Sequence, residues 1–174
     1  MKFSTMLPVK VLLIAAVLLT TACSDAANNK ATEQGEKISK PAVIELTVYK
    51  SRTCNCCQKW INHAEDHGFD VNARNVTFMS DIKEDRGIAP NYRSCHTAES
   101  SNGFVFEGHV PAKYIKQFLA DVPKDSIGLS VPAMPIGTPG MEVDDRFMPY
   151  QILLLKEDGS SSVYAEIASY EEQF

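Results

Sequence analysis

At 174 residues and a formal charge of −5, the chain has room for one compact domain with its own core. Its acidity argues against nucleic acid or a lipid headgroup surface as partner, since both call for basic patches. No internal repeat, phosphate-cradling glycine-rich loop or Gly-x-Ser-x-Gly element occurs, which sets aside the classes those elements mark.

The first element in chain order is a targeting segment, residues 1–22. Lys2 and Lys10 form a basic start, Val11 to Leu19 is unbroken and apolar, and Thr20-Thr21-Ala22 precedes Cys23. An apolar run of this length suits a signal-peptide core and is too short to span a bilayer. Small residues before a cysteine resemble a bacterial lipobox, in which Cys23 becomes the lipidated first residue; a plain signal peptide cut near Ala22 or Ala27 is the alternative. Ser24, rather than Asp, directs sorting to the outer membrane. The expected location is therefore the periplasm, with the membrane met only through the lipid. Loss of Lys2 and Lys10 makes the mature chain two charges more negative. Residues 23–41 lack aromatics and read as a disordered tether, with a span of roughly 20–25 Å.

Ala42 to Tyr49 is β-branched and apolar, a strand that Ser51-Arg52-Thr53 breaks. Trp60, Ile61 and Ala64 follow Cys57 at i+3, i+4 and i+7, and Gly68 closes that helix. The run Cys54-Asn55-Cys56-Cys57 thus falls in the helix's first turn, where unpaired N–H groups and the positive dipole end favour thiolates. Phe69 to Val76 alternates as a second strand, and Asp81 to Gly87 forms a short polar helix. Arg93 to Ala98 and Phe104 to Glu107 flank Asn102-Gly103 as a hairpin. Pro111 starts a helix with Tyr114, Ile115, Phe118, Leu119 and Val122 on its buried face.

Strand, helix, strand, helix, hairpin, helix over residues 42–122 is the thioredoxin order, so the expected fold is α/β: a thioredoxin-like three-layer domain. In that order the third strand begins beside the first helix's N-terminus, which brings Cys95 next to the Cys54–Cys57 turn. Ser94-Cys95 stands where thioredoxin-type proteins carry a cis-proline. An alternative alignment uses Met148-Pro149 for that element. Residues 123–174 form an extension packing on the core: a Pro/Gly/Met loop from Ser130 to Met141, then a β-hairpin of Gln151 to Lys156 and Val163 to Ile167 turned at Asp158-Gly159.

Four cysteines besides Cys23 in an oxidising compartment suggest two disulfides, with three possible pairings. Cys54 and Cys57 share a helix face, so one disulfide or one metal can join them. Cys56 points away on an ideal helix and converges only through a distorted first turn or a cluster in which thiolates bridge several metals. Soft sulfur ligands select Cu(I), zinc and iron–sulfur centres. A Cys₄ zinc site more often uses two Cys-x-x-Cys arms, and no loop offers the ligand run of an iron–sulfur protein. Met134 and Met141 read either as gap-filling side chains or as thioether ligands to Cu(I). His96 should face away from Cys95 by strand alternation; for His96 and His109 a hydrogen-bonding role is as consistent as ligation. His63 and His67 read as solvent-side residues, and Glu171-Glu172 as a solvated tail.

Cys54-Asn55-Cys56-Cys57 with Trp60, Ser94-Cys95-His96-Thr97, Glu107-Gly108-His109-Val110-Pro111, and the run Val131 to Glu142 resemble the CopG-type bacterial copper-resistance family, from about Ile44 to Ala165. Ala133 stands where that family usually has Gly, and Thr138 where Ser is common. The resemblance implies a periplasmic thioredoxin-like domain that binds copper through Cys54, Cys56, Cys57 and Cys95. The expectation is a protein for copper resistance or homeostasis that holds more than one Cu(I), with Met141 and Met134 as further metal residues, exchanging copper with other periplasmic copper-handling proteins. Copper oxidoreductase activity is compatible with that site. The competing expectation is a thiol–disulfide oxidoreductase in which Cys54 attacks and Cys57 resolves.

Overall fold

The computed structural model describes residues 43–174; the targeting segment, Cys23 and the tether lie outside the described residues. Alternation along β1 (Ile44–Lys50) buries Leu46, Val48 and Lys50. The periodic apolar residues then make α1 (Asn55–Asp66), which buries Cys57, Trp60, Ile61 and Ala64. Gly68, at φ +84°, turns the chain out of that helix into β2 (Phe69–Asn75), parallel to β1. After α2 (Met79–Asp85) and a 3₁₀ turn at Pro90–Tyr92 come β3 (Thr97–Ser100) and β4 (Val105–Glu107), an antiparallel hairpin, with β3 also antiparallel to β1. Helix α3 (Ala112–Ala120) follows Pro111.

The chain past α3 completes the same sheet. β5 (Ser126–Ser130) lies parallel to β4, and β6 (Tyr150–Lys156) and β7 (Ser161–Ile167) add antiparallel strands, giving the order β2-β1-β3-β4-β5-β6-β7. The result is a mixed α/β domain with a seven-stranded sheet and three α-helices among the described residues. Because β6 stands four places from β1, the alignment through Met148-Pro149 is ruled out: the strand beside the cysteine turn is the one after Cys95. Strand β5 was not expected. Its five residues include Gly128, and the site demands that glycine, since a Cβ there would stand 1.8 Å from the Val105 carbonyl oxygen of β4.

Trp60 and Ile61 of α1 and Ile115 and Phe118 of α3 share one core with Leu46, Val48, Ala98, Phe106, Leu129 and Ile152 of the sheet. The opposite face carries a smaller cluster of Ile88, Val105 and Leu155 and the side chain of Lys83 from α2, bonded to Thr97 and Glu107. Val122, expected on the buried face of α3, is 38% exposed, because the helix ends at Ala120. The C-terminus is also more than a solvated tail. Glu171 and Glu172 are exposed, but Gln173 is fully buried. It accepts from the Tyr150 hydroxyl at 2.8 Å and donates to the Gly137 carbonyl at 3.0 Å, tying the last turn to the methionine loop.

Candidate metal centre

Cys54 is the N-cap of α1, with an extended backbone (φ −77°, ψ 93°) and its sulfur accepting from the Cys57 amide at 3.3 Å. A cap residue departs from helical geometry, so its side chain is not bound to the i, i+3 face that an ideal helix assigns it. That departure is what brings Cys54 Sγ within 3.5 Å of Cys56 Sγ. Cys54 and Cys57 are joined as a disulfide, and Cys56 and Cys95 are free thiols. Of the two disulfides that four cysteines allow, one is present. The sulfurs of Cys54, Cys56, Cys57 and Cys95 all lie within 4.8 Å of one another, so the topological argument for Cys95 holds.

Cys95 also belongs to a second group, with His96 and His109. Its sulfur lies 3.2 Å from His96 Nδ1 and 3.1 Å from His109 Nε2. The expected alternation of Cys95 and His96 fails because β3 begins only at Thr97 and both residues precede it in irregular chain, with a bend at Cys95. On its other side the His96 ring packs against Trp60 at 4.6 Å and His109 at 5.1 Å. Trp60 in turn donates its indole N–H to the Val110 carbonyl at 2.9 Å, which fixes α1 to the segment carrying His109.

The chemistry of His109 follows from its outer partner. Its Nδ1 lies 2.7 Å from the Pro139 carbonyl oxygen, an acceptor only, so Nδ1 carries the proton. Burial holds His109 below the usual imidazole range, leaving Nε2 as a lone pair aimed at Cys95. A carbonyl that fixes the tautomer of a ligating imidazole is a recurring outer-shell arrangement. His96 is completely buried and held neutral, mainly by desolvation, then by the neighbouring His109 and Lys83. Its Nε2 has no hydrogen-bond partner, a costly state for a buried polar atom. Burial, then the neighbouring Cys56, pushes the Cys95 thiol up to about 12.

Met134 and Met141 sit on the loop between β5 and β6. Met134 is 48% exposed and Met141 half-buried. The residue preceding each touches the cysteine-bearing segments. Ala133 accepts a hydrogen bond from the Ser94 hydroxyl and donates to the Arg93 carbonyl at 3.4 Å. Gly140, at φ +88°, lies so close to α1 that a Cβ would stand 2.7 Å from the Cys56 carbonyl oxygen and 2.8 Å from the Trp60 amide. The loop therefore closes against the cysteine turn, with Thr138 buried and bonded to the Pro135 carbonyl as its inner hinge.

His63 and His67 are not solvent-side residues. His63 Nε2 accepts the Ala112 amide at 3.1 Å and so caps α3, and His67 Nδ1 lies 2.7 Å from the His63 carbonyl. Burial, then the nearby His67, lowers His63 to about 4. These two belong to packing.

Residues 92–141 match the family described as "Protein of unknown function, DUF411". That segment contains Cys95, His96, His109, Met134 and Met141 and begins after the cysteine turn. No curated protein matches the chain. Two solved structures are similar. One, described as "Copper resistance protein copG- Form 1", is 38% identical over 74% of this chain and 100% of its own, with a TM-score of 0.69. The other, "Copper resistance protein copG- Form 2", is 38% identical over 72% of this chain and 99% of its own, with a TM-score of 0.68.

Proposed function

Since the chain belongs to the CopG family of copper resistance proteins, we propose that it holds copper as Cu(I) in a thiolate-bridged cluster of more than one ion. The observation that carries this reading is the convergence of four sulfurs within 4.8 Å, continuous through Cys95 with two imidazoles. One Cu(I) is satisfied by two or three soft donors, so four thiolates with His109 Nε2 and His96 Nδ1 offer more than one ion needs. The preset tautomer of His109, which leaves the Nε2 lone pair facing Cys95, fits a pocket whose polar groups are completed by a cation. Met141 and Met134 would supply thioether sulfur from the loop. Full loading requires an external dithiol reductant to donate two electrons and two protons to the Cys54–Cys57 disulfide, itself leaving as a disulfide, after which metal would displace the thiol protons.

In this reading the first four strands and three helices are a thioredoxin-like core, residues 42–122, and residues 123–174 are an extension that lends its loop to the site. Cys23 carries the lipid, the tether lets the domain stand off the membrane, and copper is exchanged with other periplasmic copper-handling proteins. Cycling of copper between oxidation states is compatible with the same donors.

The disulfide itself favours a second reading, thiol–disulfide exchange at Cys54 and Cys57. Against it, Ser94-Cys95 stands in place of a proline on the approach to β3, and two further thiols crowd the pair. Titration of reduced, oxygen-free protein with Cu(I) against a competing chelator separates the two. Saturation above one copper per chain is expected. Saturation at one ends the multinuclear proposal, and preference for zinc ends the copper one.

A further inference from the structure

We infer that the buried Lys83–Glu107 pair is a positioning device for Cys95, acting through the Ser94 amide that Glu107 holds; its consequence for copper rests on the function proposed above. Helix α2 is otherwise a polar surface helix, yet Lys83 is 4% exposed and Glu107 not at all. Burying two charges loses more hydration than their attraction returns unless further hydrogen bonds complete both groups. Here they are complete. Glu107 accepts from Lys83, from the Thr97 hydroxyl at 2.6 Å and from the Ser94 amide at 2.6 Å, and Lys83 also donates to Thr97 at 3.0 Å.

Lys83 and Thr97 lie in regular elements, α2 and β3, which are held by their own backbone ladders. Ser94 does not. It lies in the irregular chain between the 3₁₀ turn and β3, immediately before Cys95. The Glu107 carboxylate is the acceptor its amide finds. The same short segment is closed in on its other sides. The Gly108 amide donates to the His96 carbonyl at 2.9 Å, and a Cβ on Gly108 would stand 2.5 Å from Ser94 Cβ. The Glu107 backbone carbonyl accepts from the Val131 amide at 3.0 Å, at the root of the methionine loop. One residue therefore registers the Cys95 segment through its side chain and the loop through its backbone. His109, two residues further on, then faces Cys95 at 3.1 Å. Lys83 fixes the direction in which the carboxylate points, so that one oxygen faces Ser94.

Two uncharged double variants isolate the contact, because replacing both members of a buried ion pair is often neutral for stability. Lys83→Met/Glu107→Gln keeps a carbonyl oxygen for the Ser94 amide; Lys83→Met/Glu107→Leu removes it. In reduced, metal-free protein, Cys95 alkylation by iodoacetamide, followed by mass spectrometry, should stay within about threefold of wild type in the Gln variant. It should rise at least about tenfold in the Leu variant. Cu(I) affinity should fall by about 10–100-fold only in the Leu variant, the size expected for an outer-shell contact. Should the Leu variant not fold, Glu107→Asp in the wild-type background, which keeps the charge but shortens the reach, is expected to raise Cys95 alkylation in the same way. Equal behaviour of the Gln and Leu variants, or an Asp variant with wild-type Cys95 reactivity, would overturn the inference. Alkylation is read without copper, so a wild-type protein that binds no Cu(I) refutes the proposed function and leaves this result standing by itself.

Discussion

Cys95→Ser is expected to lower Cu(I) affinity by at least ~100-fold, beyond what outer-shell contacts of metal sites cost, and to match Cys57→Ser in severity although the two lie far apart in sequence. The reason is that Cys95 is the one residue common to the four-sulfur group and the Cys95–His96–His109 group. Removing it leaves three sulfurs at the N-terminus of α1 and two imidazoles with nothing between them. Metal-free stability should change little, since a serine hydroxyl can still donate to His109 Nε2 where the thiol lies at 3.1 Å. A second signature follows from the thiol held at about 12 by burial. Below that pH the free protein keeps the proton and the loaded protein has lost it, so Cys95 contributes a rise in affinity of about tenfold per pH unit. Cys95→Ser should flatten the pH dependence by that amount. Competitive Cu(I) titrations across neutral pH measure both effects; unchanged loading in the serine variant would remove Cys95 from the site.

Gly140→Ala is expected to damage stability and copper binding together. At φ +88° an alanine costs about 1–2 kcal/mol of backbone strain. Its Cβ would also meet the Cys56 carbonyl at 2.7 Å and the Trp60 amide at 2.8 Å. Both are backbone atoms of a helix that cannot step aside, and overpacking of this kind typically adds about 1–3 kcal/mol. The relief available is to lift the loop off α1. That moves Met141 and also Pro139, whose carbonyl fixes the His109 tautomer. Gly159→Ala is the matched control: φ is +79° but nothing lies within 4 Å of the added Cβ, so only the backbone cost remains. Thermal melts should rank Gly140→Ala well below Gly159→Ala, with Cu(I) affinity reduced in the first alone. Normal affinity in a destabilised Gly140→Ala protein would assign the loop to packing.

The sequence makes the frame of this site legible and hides its detail, for identifiable reasons. Periodicity carries α1 and the buried face that seats Trp60, and Pro111 marks the start of α3, because burial of one helix face leaves a local pattern. The placement of Cys95 beside α1 follows from strand order, a topological rule that needs no side-chain detail. Alternation misplaces His96 because it presumes a strand two residues before β3 begins. Ideal helix geometry misplaces Cys56 because Cys54 is a cap and not a helical residue. Strand β5 is hidden by Gly128, a poor strand former that is present because the Val105 carbonyl leaves no space for a side chain. Lys83 gives no local sign of burial: one lysine on a polar helix looks solvated, and its partner Glu107 is distant in sequence.

X-ray absorption at the copper edge of the Cu(I)-loaded, oxygen-free protein tests the central claim most directly. Bridging thiolates on several ions predict a first shell dominated by sulfur at about 2.3 Å, near the distance of other metal–thiolate bonds, and a second shell containing copper as a scatterer. The copper scatterer should vanish in Cys95→Ser. A first shell of nitrogen and oxygen, or a sulfur shell with no neighbouring copper, would contradict the account.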